Sequence, residues 1–425
     1  RTPDVLDCWF ESGSMPYAQA HYMGQVEVEG GGGEKTIDKI FPADFIAEGL
    51  DQTRGWFFTL HAIATMVFDS VAFKAVISNG LVLDKNGSKM SKRLGNAVDP
   101  FGAIEKYGSD PLRWYMITNS SPWDNLKFDE EGVKEVARSF FGKLFQTYAF
   151  FAMYANVDGF NPADPAMQAT ETDRTEMDRW ILSALNTLVK EVTEDYDQYE
   201  PTRAGRRIST FVVDNLSNWF VRLSRKRFWG GGMTADKRSA YHTLYTCLLT
   251  VSKLIAPIAP FYADRLYKDL TEGRADVPKA DLSLIDSAQE RRMELAQKVT
   301  SMVLSLRKRE RIIVRQPLQA ISIPVTEQTL RDDLEAVRRL ILDEVNVKEL
   351  KFVEGQMLEK KVKCNFRVMG KKFGKLMKAV ASAVDALTQA EIARLETEGT
   401  LALTVEGESI TVERADVEIV SEDIP

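Results

Sequence analysis

Two lysines, Lys89 and Lys92, stand three residues apart in the pentapeptide Lys-Met-Ser-Lys-Arg at residues 89–93. Ammonium groups offset negative charge that backbone amides alone cannot, so such a pair suits an extended polyphosphate. Glycines at positions 87 and 95 flank the pair and favour a loop. The alternative interpretation is a solvated basic loop, which is common for lysine-rich pentapeptides.

The residues before the pentapeptide predict the element that positions it. A β-branched apolar run opens at Val76 and breaks at Asn79-Gly80. An apolar run resumes at residues 81–83, and a turn follows at residues 84–87. This pattern is typical of a strand end that carries a mobile loop. The sequence therefore predicts a cationic loop held at the end of a strand.

A second polar segment follows an upstream strand. Residues 44–47 predict a short buried strand, residues 52–68 a helix and residues 74–78 another strand, which together make a βαβ unit. Residues 48–52 follow the first strand directly. Doubly wound sheets bind ligands at the carboxyl ends of their strands, so this polar segment is a candidate site.

The pentapeptide resembles the second signature of the class I aminoacyl-tRNA synthetases, whose members use it to bind ATP and stabilise the departing pyrophosphate. Its fifth residue is often Ser in that family and is Arg93 here. Three further stretches, at residues 7–13, 48–57 and 99–113, occur in the same order and resemble the isoleucine-specific branch of the Ile/Val/Leu subgroup.

The resemblance implies roles for individual residues. Lys92 makes the main transition-state contact with the phosphates, and Lys89 supports it. The residues implied to hold ATP or the adenylate are Glu48, Gly49, Asp51, Gln52, Asn79, Gly80, Val82 and Lys92. Of these, the residues at 79, 80 and 82 would meet the adenine through backbone groups, unless they form a plain strand bulge. Trp9 and Trp56 wall the amino-acid pocket, with ordinary core packing as the alternative.

The composition limits the number of domains and the kind of nucleic-acid contact that the chain can have. With 44% hydrophobic residues, 425 residues can fill more than one core, which predicts about two to four domains. A net charge of −7 excludes an evenly basic nucleic-acid coat, so any RNA contact must come from local patches. Residues 203–238 hold nine Lys/Arg against two Asp, and residues 359–378 hold eight against one Glu.

Isolated cysteines and scattered histidines predict neither disulfides nor a structural zinc or other metal site. No signal peptide or long apolar run appears, so we expect a cytoplasmic protein without a membrane anchor. A monomer is expected. The start at Arg1, inside a motif and without Met, predicts a fragment that lacks both a His-Ile-Gly-His signature and an editing domain.

The apolar residues of the segment 132–258 recur almost continuously with the period of a helix. This pattern predicts a bundle of four or five helices. The helix at 202–228 has basic residues off an apolar core stripe, which consists of Ile208, Phe211, Val212, Leu216, Trp219, Phe220 and Leu223. The resemblance indicates that these basic residues bind tRNA, since cations beside an aromatic ring can hold phosphates and stack a base. A solvated face is the alternative. The predicted tRNA-binding residues are Arg222, Arg225, Lys226, Arg227, Trp229 and Arg315.

The predicted fold is mixed and multidomain. Residues 1–135 form the last part of a Rossmann-like α/β catalytic domain, in which one helix starts near Ala103 and another at Asp110-Pro111. Residues 136–317 form an all-α anticodon-binding bundle, and residues 318–425 form an α+β domain. The elements predicted in this last domain are strands at 320–325 and 347–353, helices at 329–342 and 373–387, and a hairpin of residues 401–405 and 409–412. The predicted function is ATP-dependent activation of isoleucine and its transfer to tRNA(Ile), with Mg²⁺ arriving on ATP, although this chain alone would be inactive. A valine-specific enzyme of the same subgroup and a non-catalytic tRNA-binding module are the alternatives.

Overall fold

The computed structural model describes residues 7–22, 37, 40–91, 93, 95–271, 280–325, 327–353, 358–373, 376–405 and 408–423. The chain is multidomain and mostly helical, and it divides into two compact units, Arg1–Glu290 and Arg291–Pro425. The predicted boundaries near 135 and 317 stay predictions. Within the described ranges, no helix is long and apolar enough to cross a membrane.

The first unit contains the predicted βαβ element. Strands β1 (Ala43–Gly49) and β2 (Phe73–Asn79) pair in parallel and are joined through the helix Trp56–Phe68. That helix buries Phe57, Leu60 and Ala64, whose three- and four-residue spacing puts them on one face. It ends at Asp69, which takes a left-handed conformation. The predicted βαβ order is confirmed, and both strands end at the same edge of the sheet. The predicted burial of the first strand is wrong, because the residues of β1 are exposed or half-buried and Phe45 is 40% exposed.

A second parallel pair joins β3 (Val82–Leu83) and β4 (Leu126–Lys127). The helices Pro100–Tyr107 and Ser109–Asn119 lie between them in the chain. The Asp99 side chain accepts hydrogen bonds from the first free amides of the former helix and caps it. Both helices were predicted, although the second begins one residue before Asp110. The two short helices that open the described chain are Cys8–Gly13 and Met15–Gln19.

Helices make up the rest of the first unit, as predicted. The α-helices are Glu130–Val136, Gly142–Asp158, Glu176–Asp197, Pro201–Thr210, Arg222–Trp229, Ala235–Ile255 and Pro260–Thr271. The π-helical segments Ala137–Phe141 and Phe211–Val221 connect neighbouring helices without a break. The helix predicted at 202–228 is therefore one helical run from Pro201 to Trp229, and its predicted core residues Ile208, Leu216 and Trp219 are buried.

The second unit begins within the helix Ser287–Arg309 and is mixed α and β. Strand β5 (Leu318–Pro324) pairs in parallel with β6 (Val347–Val353), and β8 (Thr400–Val405) and β9 (Glu408–Glu413) form the predicted antiparallel hairpin. Strands β7 (Leu358–Cys364) and β10 (Val417–Asp423) also pair antiparallel. The helices are Gln328–Ala336, Arg338–Val345, Phe366–Phe373, Met377–Asp385 and Gln389–Glu398.

Several predictions in the second unit need correction. The helix predicted at 329–342 is two helices that meet at Val337. The helix predicted at 373–387 is present as Met377–Asp385, whereas the preceding helix Phe366–Phe373 was not predicted. Strands β7 and β10 and the helix Gln389–Glu398 were missed. Lysines interrupt the apolar pattern of β7, and its partner strand lies more than 50 residues away in the sequence, so local periodicity could not reveal the pair.

Candidate functional site

The predicted adenylate residues lie at the shared edge of β1 and β2. In the parallel register, Glu48 is opposite Ser78 and Gly49 is opposite Asn79. The N–H of Gly49 donates to Glu48 Oε1 at 3.0 Å. Residues 30 positions apart in the sequence therefore meet where the polar loops leave the sheet, which is the geometry that the sequence predicted.

A 3₁₀ turn, Leu50–Arg54, follows β1 and carries Asp51 and Gln52. Gln52 Oε1 accepts from the N–H of Trp56 at 3.0 Å and so caps the helix Trp56–Phe68. Its Nε2 donates to Asp51 Oδ2 at 3.2 Å. Gln52 therefore joins the turn to the helix and orients Asp51.

The two predicted pocket tryptophans have different surroundings. Trp9 is 49% exposed and lines an open groove of about 420 Å³ with Phe10 and Phe58. Trp56 packs against a small core cluster, and its Nε1 donates to the Ser12 carbonyl at 3.1 Å. Trp9 thus lies on an apolar surface groove, whereas Trp56 has the packed environment that was the alternative interpretation.

Gly80 lies where another part of the backbone passes closely. A Cβ atom at this position would overlap the carbonyl of Asp124. The N–H of Gly80 donates to the Pro122 carbonyl at 2.9 Å, and the N–H of Leu81 donates to Asn125 Oδ1 at 2.8 Å. Because its N–H is engaged, the predicted adenine contact of Gly80 does not fit through that group. Its identity as glycine follows from packing.

Val82 lies between two residues whose carbonyl groups bond to β4 and to the residue after it. Leu126 donates to the carbonyl of Leu81, and Phe128 donates to that of Leu83. In a parallel ladder the intervening residue directs its own N–H and C=O away from the partner strand. The backbone groups of Val82 therefore point away from β4, and its contact with the adenine stays a prediction.

The lysine-bearing loop begins with a tight turn. The N–H of Asp84 donates to the Ser88 carbonyl, and the Asp84 carboxylate accepts from the N–H groups of Asn86 and Ser88 at 2.9 and 2.8 Å. Gly87 has a φ of 85°, which glycine adopts without strain. Leu83 and Lys89 then form an isolated antiparallel bridge, so this end of the loop is a short hairpin.

The structure describes one of the two predicted phosphate-binding lysines. Lys89 is exposed just after the turn, and Met90 beside it packs against the cluster that contains Tyr115 and Leu126. Lys92 lies outside the described residues. The structure therefore places one ammonium group on an anchored hairpin beyond β3, and the position of the other rests on the sequence.

Sequence reasoning missed Asn96, whose side chain closes the loop. Its Oδ1 accepts from the N–H of Ser91 at 2.9 Å, and its Nδ2 donates to Asp84 Oδ2 at 2.9 Å. The hydrogen bond from Asn96 is the largest cause that lowers the pKa of Asp84, and backbone N–H donors act in the same direction. The available signal was Asp and Asn on either side of glycine-rich turns, where side chains commonly bond to backbone.

The predicted tRNA-binding helix presents one exposed face. Arg222, Arg225, Lys226 and Trp229 are exposed and follow each other at steps of three, one and three residues, which places them on the same side of the helix. The guanidinium of Arg222 lies over the ring of Trp219 at 5.6 Å. We call these four residues the basic stripe. In the second unit, Arg315 is exposed between the helix Ser287–Arg309 and β5.

Arg227 does not belong to that face. Its guanidinium donates to both oxygens of Asp178 at 2.8 and 2.7 Å and also contacts Asp236. The side chain of Asp178 is fully buried, and that of Arg227 is only 14% exposed. The prediction that Arg227 contacts tRNA is therefore corrected, because its charge is neutralised inside the helical bundle.

Two family descriptions match separate parts of the chain. Residues 1–129 match "tRNA synthetases class I (I, L, M and V)", and residues 178–322 match "Anticodon-binding domain of tRNA ligase". A LeuRS from Agrobacterium radiobacter K84, solved in a ternary complex with tRNA and LeuAMS, shares the fold with a TM-score of 0.51. It is 20% identical, and the alignment covers 67% of this chain and 35% of that one.

Curated relatives align with the whole chain. An isoleucine–tRNA ligase of Bacteroides thetaiotaomicron is 62% identical over 100% of this chain, and one of Porphyromonas gingivalis is 60% identical over 100%. One from Bacillus thuringiensis is 39% identical over 98%. The chain spans only 37%, 37% and 40% of these relatives. The lysine loop, the sheet edge and these matches together show that the chain belongs to the class I aminoacyl-tRNA synthetases and has isoleucine–tRNA ligases as its relatives.

Proposed function

We propose that the protein containing this chain is an isoleucine–tRNA ligase that works as a cytoplasmic monomer. The observation that carries the proposal is the 62% identity to such a ligase along the entire chain. The meeting of Glu48, Gly49 and Asn79 at one sheet edge supports it, because open α/β sheets bind ligands at the carboxyl ends of their strands. The free cysteines at 8, 247 and 364 suit a reducing compartment.

The proposed reaction has two steps. The carboxylate of isoleucine attacks the α-phosphorus of ATP, pyrophosphate leaves, and the acyl group then passes to the terminal adenosine of tRNA(Ile) with release of AMP. In the first step Lys89 and Lys92 stabilise charge on the departing pyrophosphate, and Mg²⁺ enters as part of the ATP substrate. No protein base is needed, so alignment of the reactants is the main contribution of this chain.

The sheet edge supplies the polar groups that would hold the adenylate. The exposed Glu48 carboxylate can accept from an ammonium or a ribose hydroxyl, and Asp51 lies one turn further on. Asn79 and the outward-facing backbone of Val82 would contact the adenine. Trp9 would contribute to the apolar wall for the isoleucine side chain.

A substrate panel tests this function. In an enzyme of the relatives' full length that carries this sequence, we expect ATP–pyrophosphate exchange with isoleucine to exceed that with valine by about 10–200-fold in kcat/KM. One methylene in an apolar pocket is worth about 1–3 kcal/mol, which is an established value for isoleucine enzymes. A preference for valine would support the valine-specific alternative. ATP binding without exchange on any amino acid would support a non-catalytic tRNA-binding module.

The basic stripe is proposed to contact tRNA. Its cations can neutralise phosphates, and Trp229, which is 57% exposed at the end of the helix, can stack an unpaired base. The corrected position of Arg227 strengthens this proposal, because the remaining residues share one face. The match to an anticodon-binding domain includes this helix.

Lys226→Ala and Trp229→Ala test the stripe. Loss of Lys226 should weaken tRNA binding and reduce the slope of log Kd against log salt by about 1, since one phosphate contact is lost. Loss of Trp229 should cost about 1–3 kcal/mol with little change in that slope. Lys190→Ala, an exposed lysine on the helix Glu176–Asp197, is the matched control. Equal losses for Lys190 and Lys226 would contradict the proposal.

A further inference from the structure

Asn96 makes a contact with each of three parts of the lysine loop. Its Oδ1 accepts from the N–H of Ser91 at 2.9 Å, and its Nδ2 donates both to Asp84 Oδ2 at 2.9 Å and to the Lys89 carbonyl at 3.3 Å. One amide therefore bonds to the turn before the lysines, to the first lysine and to the backbone just before the second.

The Asp84 carboxylate, to which this amide donates, is itself held in place by hydrogen bonds. Its other oxygen, Oδ1, accepts from the N–H groups of Asn86 and Ser88, so the carboxylate cannot rotate without breaking these bonds. Asp84 directly follows β3, which pairs with β4. Asp84 and Asn96 thus connect both ends of the loop to the sheet.

We propose that Asn96 and Asp84 are positioning residues for the lysine pair during ATP activation. This inference rests on the proposed function. A lysine side chain is a flexible four-carbon stem, so it does not fix the position of its own ammonium group. The region that the ammonium group can reach therefore depends on where the backbone is held. Charge stabilisation works only when the donor already lies where the charge develops, and misplacement by about 1 Å can cost about 100-fold in rate.

The pair acts on the first half-reaction and not on the second. Pyrophosphate has left once the adenylate is made. The leaving group in acyl transfer is AMP, and the lysines are proposed to stabilise the pyrophosphate, which takes no part in that step. A residue needed only for folding would affect both steps equally. Measuring the two half-reactions separately therefore distinguishes positioning from a general structural role.

The experiment uses a full-length enzyme carrying this sequence with Asn96→Ala or, as an independent break of the same hydrogen bond, Asp84→Asn. The latter places an NH₂ group beside the Asn96 NH₂ group and leaves the turn's acceptor available. We expect kcat for isoleucine-dependent exchange to fall by about 10–100-fold. Transfer from preformed isoleucyl-adenylate to tRNA should stay within about 2–3-fold of the parent, with the thermal unfolding midpoint unchanged.

Asn156→Ala removes an exposed amide from the helix Gly142–Asp158 and is the matched control. Exchange at the parental rate in both test variants would overturn the inference. Equal losses in exchange and transfer would also overturn it, because they would indicate a folding defect. Failure of the unaltered enzyme to exchange with any amino acid would instead refute the proposed function, and so the two failures are distinguishable.

Discussion

Lys92→Ala is expected to lower isoleucine-dependent ATP–pyrophosphate exchange by about 10²–10³-fold in a full-length enzyme that carries this sequence. This is the usual loss when one preorganised donor to a developing charge is removed. The family resemblance assigns Lys92 to the departing pyrophosphate, and the structure places its neighbours Lys89 and Ser91 on an anchored loop beyond β3. The effect should fall mainly on kcat, because the charge develops in the transition state.

Lys85→Ala is the control for this change. Lys85 is exposed in the turn just before the motif, so its removal deletes the same charge from the same loop. A non-specific electrostatic effect would make the two variants alike, whereas the proposed role predicts near-parental exchange for Lys85→Ala. Near-normal exchange by Lys92→Ala would remove Lys92 from the proposed mechanism.

Local sequence pattern was sufficient for the elements that position the site. The βαβ unit follows from two short strand patterns that are separated by a longer helical segment. Parallel pairing then brings Glu48 and Asn79 to one edge, since the carboxyl ends of adjacent parallel strands coincide. The order of motifs along the chain indicated the family, and the helical spacing of the basic residues predicted the basic stripe.

Local sequence pattern could not predict contacts between residues that lie far apart in the sequence. Gly80 is explained by the backbone of Asp124, which lies 44 positions away and has no local signal. Arg227 shares the composition of the basic stripe, and only its contact with Asp178 reveals a different role. The Asp84–Asn96 hydrogen bond spans a loop whose residue types suggested turns, but not which side chains would pair.

Arg227→Ala is expected to destabilise the helical bundle by about 3–5 kcal/mol, because it leaves a buried carboxylate without its partner. Asp178 is fully buried and also accepts from Thr175 and Ser239, which cannot supply a positive charge. Denaturant unfolding measures the loss. Arg225→Ala, which removes an exposed arginine from the same helix, should change stability by less than about 0.5 kcal/mol. Similar losses in both variants would contradict a structural role specific to Arg227.

The pH dependence of the Arg227→Ala effect tests its cause. Burial disfavours the charged form of Asp178, but the hydrogen bonds and charge of Arg227 outweigh burial and lower the pKa of Asp178. A lowered pKa stabilises the fold above the unfolded value of about 3.9, and this stabilisation is lost as pH falls through the folded pKa. Without Arg227, burial is opposed by hydrogen bonds from the neutral Thr175 and Ser239, so the pKa of Asp178 should rise and the carboxyl can become neutral in the folded variant. The stability difference between parent and variant should therefore be largest near neutral pH and shrink as the solution is acidified toward pH 4. A difference independent of pH would instead indicate lost packing of the arginine side chain.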